Sequence, residues 1–352
     1  MSWRSTDAYD EYGEWDEETV RERPNPKANR PRTKQRPAHE DAVSGMVVTV
    51  DRGRFTVLVD ADLPTERHVL AARARELGRT RIVTGDVVDL VGDASGDEGT
   101  LARVVRVRER TTLLRRSADD TDQVERVIVA NADRMCIVAA TTRPEPRPRL
   151  IDRYLVAAYD AGIEPVLVLT KTDLEPADAV RALVDPLGVP VFESSIDDPP
   201  VDELRAEFAG CTTVMVGHSG VGKSTLVNAL APEADRATGR VNEVTGRGRH
   251  TSSSTVALRI HDRDGASGWI IDTPGVRSFG LGHVDPGNVL RAFTDLAAVA
   301  EECPRGCTHR ASAPDCALDE AAARGELSAN SLSRLESLRR LFASLDAGDE
   351  RP

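Results

Sequence analysis

The sequence predicts a multidomain fold: an N-terminal β-barrel, a doubly wound α/β domain built around a P-loop, and a helical C-terminal domain. Three observations carry this. Between Ser44 and about Arg110, short stretches alternate apolar and polar residues and are broken by Gly- and Asp-rich turns. From about Val124, continuous apolar runs alternate with helical segments around GHSGVGKST, residues 217–225. Beyond about Asn288 the chain is mostly helical, interrupted by three cysteines and a histidine between positions 303 and 316.

With 352 residues, 40% of them apolar and 30% charged, the chain has ample length for two or three cores. No apolar run reaches the roughly 18 residues of a membrane span. The N-terminal MSWRSTDAYDEYGEWDEE is acidic and lacks the apolar centre of a secretory signal. A cytoplasmic location and no membrane partner are therefore expected. The net charge of −12 disfavours nonspecific nucleic-acid binding, and aromatics at 4% are too few for an extended base-stacking platform. Charge is local, however: Arg103–Arg116 holds six arginines against one acid, Glu109. That stretch reads either as a solvated strand face or as a basic contact face. Five cysteines, an odd number, argue against a disulfide framework. Cys136 in RMCIVAA and Cys211 before VMV read as small buried side chains.

Taken in order, residues 1–43 form a charged tail. An acidic block (Asp7–Glu18) precedes a basic, Pro-rich block (Arg21–Arg36), and so few aliphatic residues cannot offset the entropy of ordering. Residues 44–118 form the barrel. SGMVVTVDRGRFTVLVD is a hairpin about Asp51-Arg52-Gly53, and HVLAARA, DVVDLVG and TLARVVRVRER add strands, a density that suggests an OB-fold. Residues 119–287 form the α/β domain. DRMCIVAAT, EPVLVLTKTDL, VPVFESS, CTTVMVGHSG, TVALRIH and GWIIDTPG read as buried strands, while RLIDRYLVAAYDAG and STLVNAL read as helices, the former capped by Gly162. Strands alternating with helices imply a parallel sheet wound on both sides. Residues 288–352 form the C-terminal domain and end in the amphipathic LSANSLSRLESLRRLFASL.

The pattern Gly217-x4-Gly222-Lys223-Ser224 follows a strand and opens a helix, the setting in which it binds phosphate. The backbone from Gly217 through Ser219, Gly220, Val221 and Gly222 to Thr225 can turn its N–H groups inward around a phosphate, with the helix dipole behind it. Lys223 should reach the β- and γ-phosphates, and Ser224 should offer its hydroxyl to Mg²⁺. Asp272, at the end of GWIID, can hold the Mg²⁺ shell, and the Gly275 N–H can contact the γ-phosphate. Thr170-Lys171-Thr172-Asp173 follows the strand PVLVL. A carboxylate at Asp173 can accept from N1–H and N2–H₂ of guanine, a donor pair adenine lacks, so it selects against ATP. The Lys171 stem can lie over the purine, and Ser194 and Ser195 can offer backbone contacts to the base carbonyl. These base-reading pieces precede the phosphate loop, so the motif order is rotated; a sheet opened and rejoined elsewhere keeps its geometry.

Between the loop and DTPG lies GRVNEVTGRGRHTSSSTVAL, polar and rich in Gly and Arg, as suits a switch segment. Thr251 is the candidate metal-sensing threonine, with Ser252 a near alternative. His250 reads either as the group that orients the attacking water or as a surface histidine. Val276 stands where a water-positioning glutamine follows the glycine in Ras-like enzymes. Finally, Cys303-x3-Cys307-x-His309-x6-Cys316 supplies three thiolates and an imidazole amid polar neighbours, a closed tetrahedral set for one structural Zn²⁺.

The barrel, TKTD, GHSGVGKST, RGRHTSSST, DTPG and the Cys-Cys-His-Cys cluster together resemble the RsgA (YjeQ) family of ribosome small subunit-dependent GTPases, a circularly permuted GTPase family. The resemblance spans roughly residues 44–345, supported by TGDVVDL, VIVANADRMCIV and LIDRYLVAAYDAGIEPVLVLTKTDL. It implies an OB-fold, a permuted GTPase domain and a zinc domain. It also implies contacts to 16S rRNA, a role in late maturation of the 30S subunit, and hydrolysis of GTP to GDP stimulated by that subunit. Residue by residue, it implies phosphate binding at Gly220, Gly222, Lys223, Ser224 and Thr225, and guanine recognition at Lys171 and Asp173. It implies a catalytic switch histidine at His250 and zinc ligation by Cys303, Cys307, His309 and Cys316. A monomer is expected. Three positions depart from the pattern. Thr170 stands where many GTPases have asparagine, which removes one loop-bracing side chain. HTSSS replaces a threonine run. Gly220 stands where potassium-activated GTPases often place asparagine, which argues against potassium stimulation. Two other readings stay open on sequence grounds: an RNA-binding module that GTP merely props, and a permuted GTPase of the large subunit.

Overall fold

The computed structural model of the chain describes residues 39–117, 125–232, 255–273 and 280–346. Most of the expected charged tail, and the switch segment with His250, Thr251 and Ser252, lie outside these residues, as do Gly275 and Val276.

Strands β1 (Val43–Asp51), β2 (Arg54–Val59), β3 (Arg67–Arg73), β4 (Val87–Val91) and β5 (Ala102–Val107) pair in the order β1-β2-β3-β5-β4, and β4 returns to β1. The barrel is therefore closed, which removes the open edges that a five-stranded sheet would otherwise expose. The expected hairpin turn is present, with Asp51 opposite Arg54. Alternation along the strands sends Val47, Phe55, Val57, Val69, Val88 and Val104 inward to a core of their own.

A two-stranded ribbon comes next, β6 (Leu113–Ser117) antiparallel to β7 (Glu125–Ala130), which the sequence reading did not anticipate. The expected boundary between residues 118 and 119 falls in its connection, outside the described residues. The end of the ribbon is tied back to the barrel: Ala130 N–H donates to Thr84 O at 3.2 Å, and Asn131 Nδ2 donates to Gly85 O at 2.8 Å.

The α/β domain comprises β8 (Arg134–Ala140), α1 (Pro148–Ala161), β9 (Glu164–Thr170), α2 (Asp178–Val184), β10 (Val191–Ser194), α3 (Val201–Phe208), β11 (Thr212–Gly217), α4 (Lys223–Leu230), β12 (Val256–His261) and β13 (Ser267–Asp272). Its strand order is β10-β9-β8-β11-β13-β12. Successive residues of each buried strand face opposite layers: Met135, Ile137 and Ala139 join one core, while Cys136, Val138 and Ala140 join the other. Helices α1 and α2 cover the first layer and α3 and α4 the second. The pairings are parallel except at β12, which runs antiparallel to β13. Only a short turn separates these two strands, and a parallel crossover needs a dozen residues or so. β12 also pairs with β1 at Thr49 and Val256, so one continuous sheet includes barrel and α/β domain.

Helices α5 (Pro286–Arg291), α6 (Thr294–Ala300), α7 (Ala317–Ala323) and α8 (Ala329–Asp346) complete the chain, and the expected boundary at 287/288 falls within α5. Phe293, Leu296, Leu318, Leu338 and Phe342 share one apolar core with Ile151, Leu155 and Ala158 of α1. Among the described residues, no helix is long and apolar enough to cross a membrane.

Candidate functional site

In the α/β sheet the chain winds outward in two directions. From β8 it steps to β9 and β10 on one side, and from β11 it crosses to the outer β12 and returns to β13 on the other. The order reverses between β8 and β11, and the loops leaving the carboxyl ends of these two neighbours form the crevice where such sheets bind ligands. Gly217 ends β11 opposite Val138 of β8. A Cβ at Gly217 would stand 2.6 Å from Val138 O, so only glycine lets the two strands meet here. The loop then turns through Gly222, which has φ 94° and caps α4. That conformation suits glycine and points the first amides of α4 back into the crevice. Lys223 opens the helix, buried, where the sequence reading began it at Ser224. Its Nζ donates to Asp272 Oδ1 and, at 2.6 Å, to Thr273 O. Ser219, Gly220, Ser224 and Thr225 face solvent, and Val221 is buried beneath them.

The sequence-distant strand expected to read the base stands against this loop. Thr170, the last residue of β9, lies level with Ala140 of β8 and Ser194 of β10. Its Oγ1 donates to Val221 O at 2.5 Å. The expectation that threonine at this position removes a brace is therefore corrected: the hydroxyl itself braces the phosphate loop. Lys171 has φ 63° and donates from Nζ to Gly220 O at 3.0 Å and to Arg143 O. Its stem is thereby laid along the edge of the crevice. Thr172 N–H donates to Ser194 O at 3.3 Å, which couples the loops that follow β9 and β10. The Ser195 hydroxyl accepts from Asp198 N–H at 2.9 Å. Asp173 is exposed on the same rim. Asp272 ends β13, and Thr273 behind it donates from Oγ1 to Met215 O at 2.7 Å, pinning β13 to β11.

Sequence reasoning missed the support for this rim. Thr141, just after β8, donates from Oγ1 to Lys171 O at 2.9 Å, and Pro144 Cδ lies 3.8 Å from where a Cβ on Gly220 would sit. The available signal was TTRPEPR, a polar, Pro-rich turn at the end of a buried strand.

The second cluster lies between α6 and α7. The ligand atoms of Cys303, Cys307, His309 and Cys316 all fall within 4.8 Å of one another. Cys303 Sγ is 4.0 Å from Cys316 Sγ and 3.5 Å from His309 Nδ1. A tetrahedron with metal–sulfur bonds of about 2.3 Å has edges of about 3.8 Å, so the set fits a single ion; a disulfide would need sulfurs at about 2.05 Å. Tight turns make the approach, with Gly306 at φ 81° and His309 at φ 54°. Burial, joined by the neighbouring Cys316 and Cys307 thiols and opposed by the Ala317 amide, pushes the Cys303 thiol up to about 11. Burial, with the Arg339 guanidinium nearby, holds His309 below its ordinary value, which favours the neutral imidazole that a metal needs. Cys136 is buried as expected, whereas Cys211 is only half-buried.

The arginine-rich stretch is partly spoken for. Arg110 grips Asp86 through Nε at 2.7 Å and Nη2 at 2.9 Å, and Asp86 is fully buried. Arg108 Nε and Arg106 Nη1 lie 2.8 and 3.3 Å from the buried Asp89. These three arginines neutralise barrel acids rather than forming a free basic face. The acids sit in TGDVVDL, so the pairing had a sequence signal in the repeated aspartates.

Comparison with known proteins finds the same combination elsewhere. Residues 107–282 match the family model described as RsgA GTPase. The chain is 40% identical over 276 residues to the small ribosomal subunit biogenesis GTPase RsgA of Pseudomonas aeruginosa (strain LESB58), covering 76% of this chain and 77% of that one. It is 41% identical over 308 residues to the protein of the same name from Pseudomonas syringae pv. tomato, covering 82% and 85%. Among solved structures, YjeQ from Thermotoga maritima aligns with a TM-score of 0.58 at 26% identity, over 88% of this chain and all of that one. YloQ, a circularly permuted GTPase, shares the fold with a TM-score of 0.57 at 24% identity, over 87% and 97%.

Proposed function

The chain belongs to the RsgA GTPase family and is a GTPase of small ribosomal subunit biogenesis, and from that premise we propose how its residues bind and hydrolyse GTP and what they act on. The observation that carries the reading is the pair of bonds across the switch point. Thr170 Oγ1 donates to Val221 O and Lys171 Nζ to Gly220 O, so a base-reading strand end is fastened to a phosphate loop some fifty residues later in the chain. In this reading the Lys171 stem covers one face of guanine, Asp173 accepts from N1–H and N2–H₂, and the Ser194–Ser195 backbone meets the base carbonyl. Gly217 to Thr225 cradle the phosphates, with Ser219, Gly220, Val221 and Gly222 offering amides. Lys223 offsets charge that builds on the transferred phosphoryl oxygens. Mg²⁺ bound with GTP disperses the remaining phosphate charge. Ser224 and Asp272 are the described residues suited to hold it, directly or through water. Thr251 joins them as the metal-sensing threonine, the Gly275 N–H contacts the γ-phosphate, and His250 is assigned to orient the attacking water; all three lie outside the described residues.

The fit of Cys303, Cys307, His309 and Cys316 to a tetrahedron, with no position left for water, supports one structural Zn²⁺. We divide the chain functionally into a charged tail (1–43), an OB-fold RNA-binding barrel (44–118), a permuted GTPase domain (119–287) and a zinc-binding helical domain (288–352). Barrel and zinc domain dock on 16S rRNA of the 30S subunit late in its maturation, in the cytoplasm and as a monomer. Docking orders the switch and stimulates hydrolysis, and the change after GTP is lost drives release.

The test is GTP turnover alone, with purified 30S subunits and with 50S subunits, for the native chain and His250→Ala. A rise of about tenfold or more with 30S only, lost in the variant, is the expected result. Flat turnover with intact GTP binding would instead identify a GTP-stabilised RNA-binding module, and stimulation by 50S would move the site of action to the large subunit.

A further inference from the structure

Two charged residues sit in the middle of α1, where its neighbours are apolar. Asp152 and Arg153 are 4% and 3% exposed. Both are satisfied from α8. Arg340 Nε lies 3.1 and 3.2 Å from the two Asp152 oxygens, and its Nη2 donates to Leu183 O at 2.7 Å, near the end of α2. Arg153 Nη1 donates to Ser344 O at 3.1 Å. One residue before Arg340, Arg339 serves a different neighbour. Its Nη2 donates to both Asp319 oxygens at 2.7 Å, and its Nε reaches His309 O at 3.4 Å. Consecutive arginines of α8 thus grip α1 with one hand and the metal-ligand loop with the other.

The far end of α1 touches the nucleotide rim. Pro148 begins the helix four residues before Asp152, about 6 Å along its axis. Ile151 and Tyr154 line one small cavity together with Pro144, Arg147, His218 and Val221, so the first turns of α1 look onto the phosphate loop itself. The segment 141–147 that leads into α1 holds Lys171 through Arg143 O and Thr141 Oγ1, and abuts Gly220 through Pro144. Helix α1 is therefore a rigid bar with the Arg340 clasp near its middle and the Lys171 support at its start.

We propose that this bar couples the C-terminal metal region to the nucleotide site: Arg340 and Asp152 are positioning residues that fix α1, and through the 141–147 segment they set how long guanine nucleotide stays bound. The proposal rests on the reading of Lys171 as a guanine contact. Coupling of binding equilibria is reciprocal, so bound nucleotide must in turn tighten the hold on α8.

The test uses the full-length, zinc-loaded protein and fluorescently labelled GDP. Arg340→Gln should speed GDP dissociation by about five- to tenfold, within the usual range of coupling between sites. Arg340→Lys keeps the charge but loses the planar fork and should fall between Arg340→Gln and the native chain. In a Lys171→Ala background, adding Arg340→Gln should change the rate by less than about twofold, because the route through Lys171 is already cut. Hydrogen exchange of the native chain gives a readout that needs no variant: GDP should slow exchange across Ala329–Asp346, and this slowing should vanish in Lys171→Ala. An Arg340→Gln protein with native zinc content and melting but an unchanged GDP rate overturns the proposal. If that variant does not fold, unslowed exchange in α8 of the native chain overturns it equally. If Lys171→Ala alone leaves GDP dissociation unchanged, the guanine-site reading fails instead.

Discussion

At Thr170 one hydroxyl decides how firmly the phosphate loop is held. The loop carbonyl of Val221 is buried with its residue and receives the Thr170 proton at 2.5 Å. The competing acceptor, Ala139 O, is farther away at 3.3 Å, and a hydroxyl has a single proton to donate. Valine has nearly the same shape but donates nothing. Thr170→Val should leave that carbonyl unpaired at a cost of about 1–3 kcal/mol, felt at the loop rather than in the fold as a whole. The expected outcome is GDP dissociation faster by about five- to a hundredfold, read by stopped flow with labelled GDP, with melting changed little. Thr170→Asn should retain slow release, since its amide can donate to the same carbonyl. Equal rates for threonine and valine would mean that the loop holds its shape without the brace. Asparagine at this position does the same work in many GTPases, so the sequence showed the departure from pattern. The compensation depends on a 2.5 Å tertiary contact, which no spacing encodes.

Among the elements, the loop carrying Cys303, Cys307, His309 and Cys316 owes least to apolar packing of its own. Residues 303–316 carry few apolar side chains, turn at positive φ at His309 and Asp315, and bring thiols together against their own burial cost. If, as proposed, one Zn²⁺ holds these four side chains, such a loop has little reason to keep its shape once the ion is removed. Treatment with a strong chelator, or Cys307→Ser, should therefore speed amide exchange in the loop and in α7 by at least about tenfold. The strands β8, β9 and β11 should stay protected. Mass spectrometry of peptides before and after chelation reads both; unchanged protection in α7 would show that apolar packing alone holds this region. That these four side chains gather was legible from sequence, because residues of the right chemistry at short spacing need no knowledge of the fold. Other elements were less so. The β1–β2 hairpin declared itself by alternation and its turn. The β6–β7 ribbon did not, since LLRRS does not alternate and its partner lies beyond a long connection. The direction of β12 was hidden too: a strand pattern has no sense of direction, and only the shortness of the connection to β13 carried it. Asp152 and Arg153 misread most easily. Charge in the middle of an amphipathic helix normally marks the wet face, yet here both are buried because α8 supplies their partners. Burial pushes the Asp152 carboxyl up to about 6 in spite of Arg340. The pair therefore specifies where α8 docks more than it stabilises the docked state.

For the whole molecule the question is whether a chain of net charge −12 can engage RNA. Composition alone argues against it, and the arginine-rich stretch is the candidate exception. The barrel sorts those arginines into two kinds. Arg106, Arg108 and Arg110 stand on Asp89 and Asp86, whose buried carboxylates would otherwise keep only neutral donors such as Ser44 Oγ and Val83 N–H. Arg103 is exposed and forms no ion pair among the described residues, as is also true of Arg79 and Arg81. The two kinds should respond differently to the same substitution. If the barrel meets rRNA through its unpaired arginines, Arg103→Gln should weaken binding to the 30S subunit and lower the slope of log affinity against log salt by about one. Its melting temperature should not change. Arg110→Gln should leave the salt slope nearly as it was, because the guanidinium it removes was neutralising a protein carboxylate. It should instead cost stability, about 3–5 kcal/mol, by stranding Asp86 in the barrel wall. Titrations of 30S subunits across a salt series, paired with thermal melts of both variants, separate the two. A slope lowered by Arg110→Gln in a barrel that melts normally would place that arginine on the RNA and remove Asp86 as its partner in the bound state.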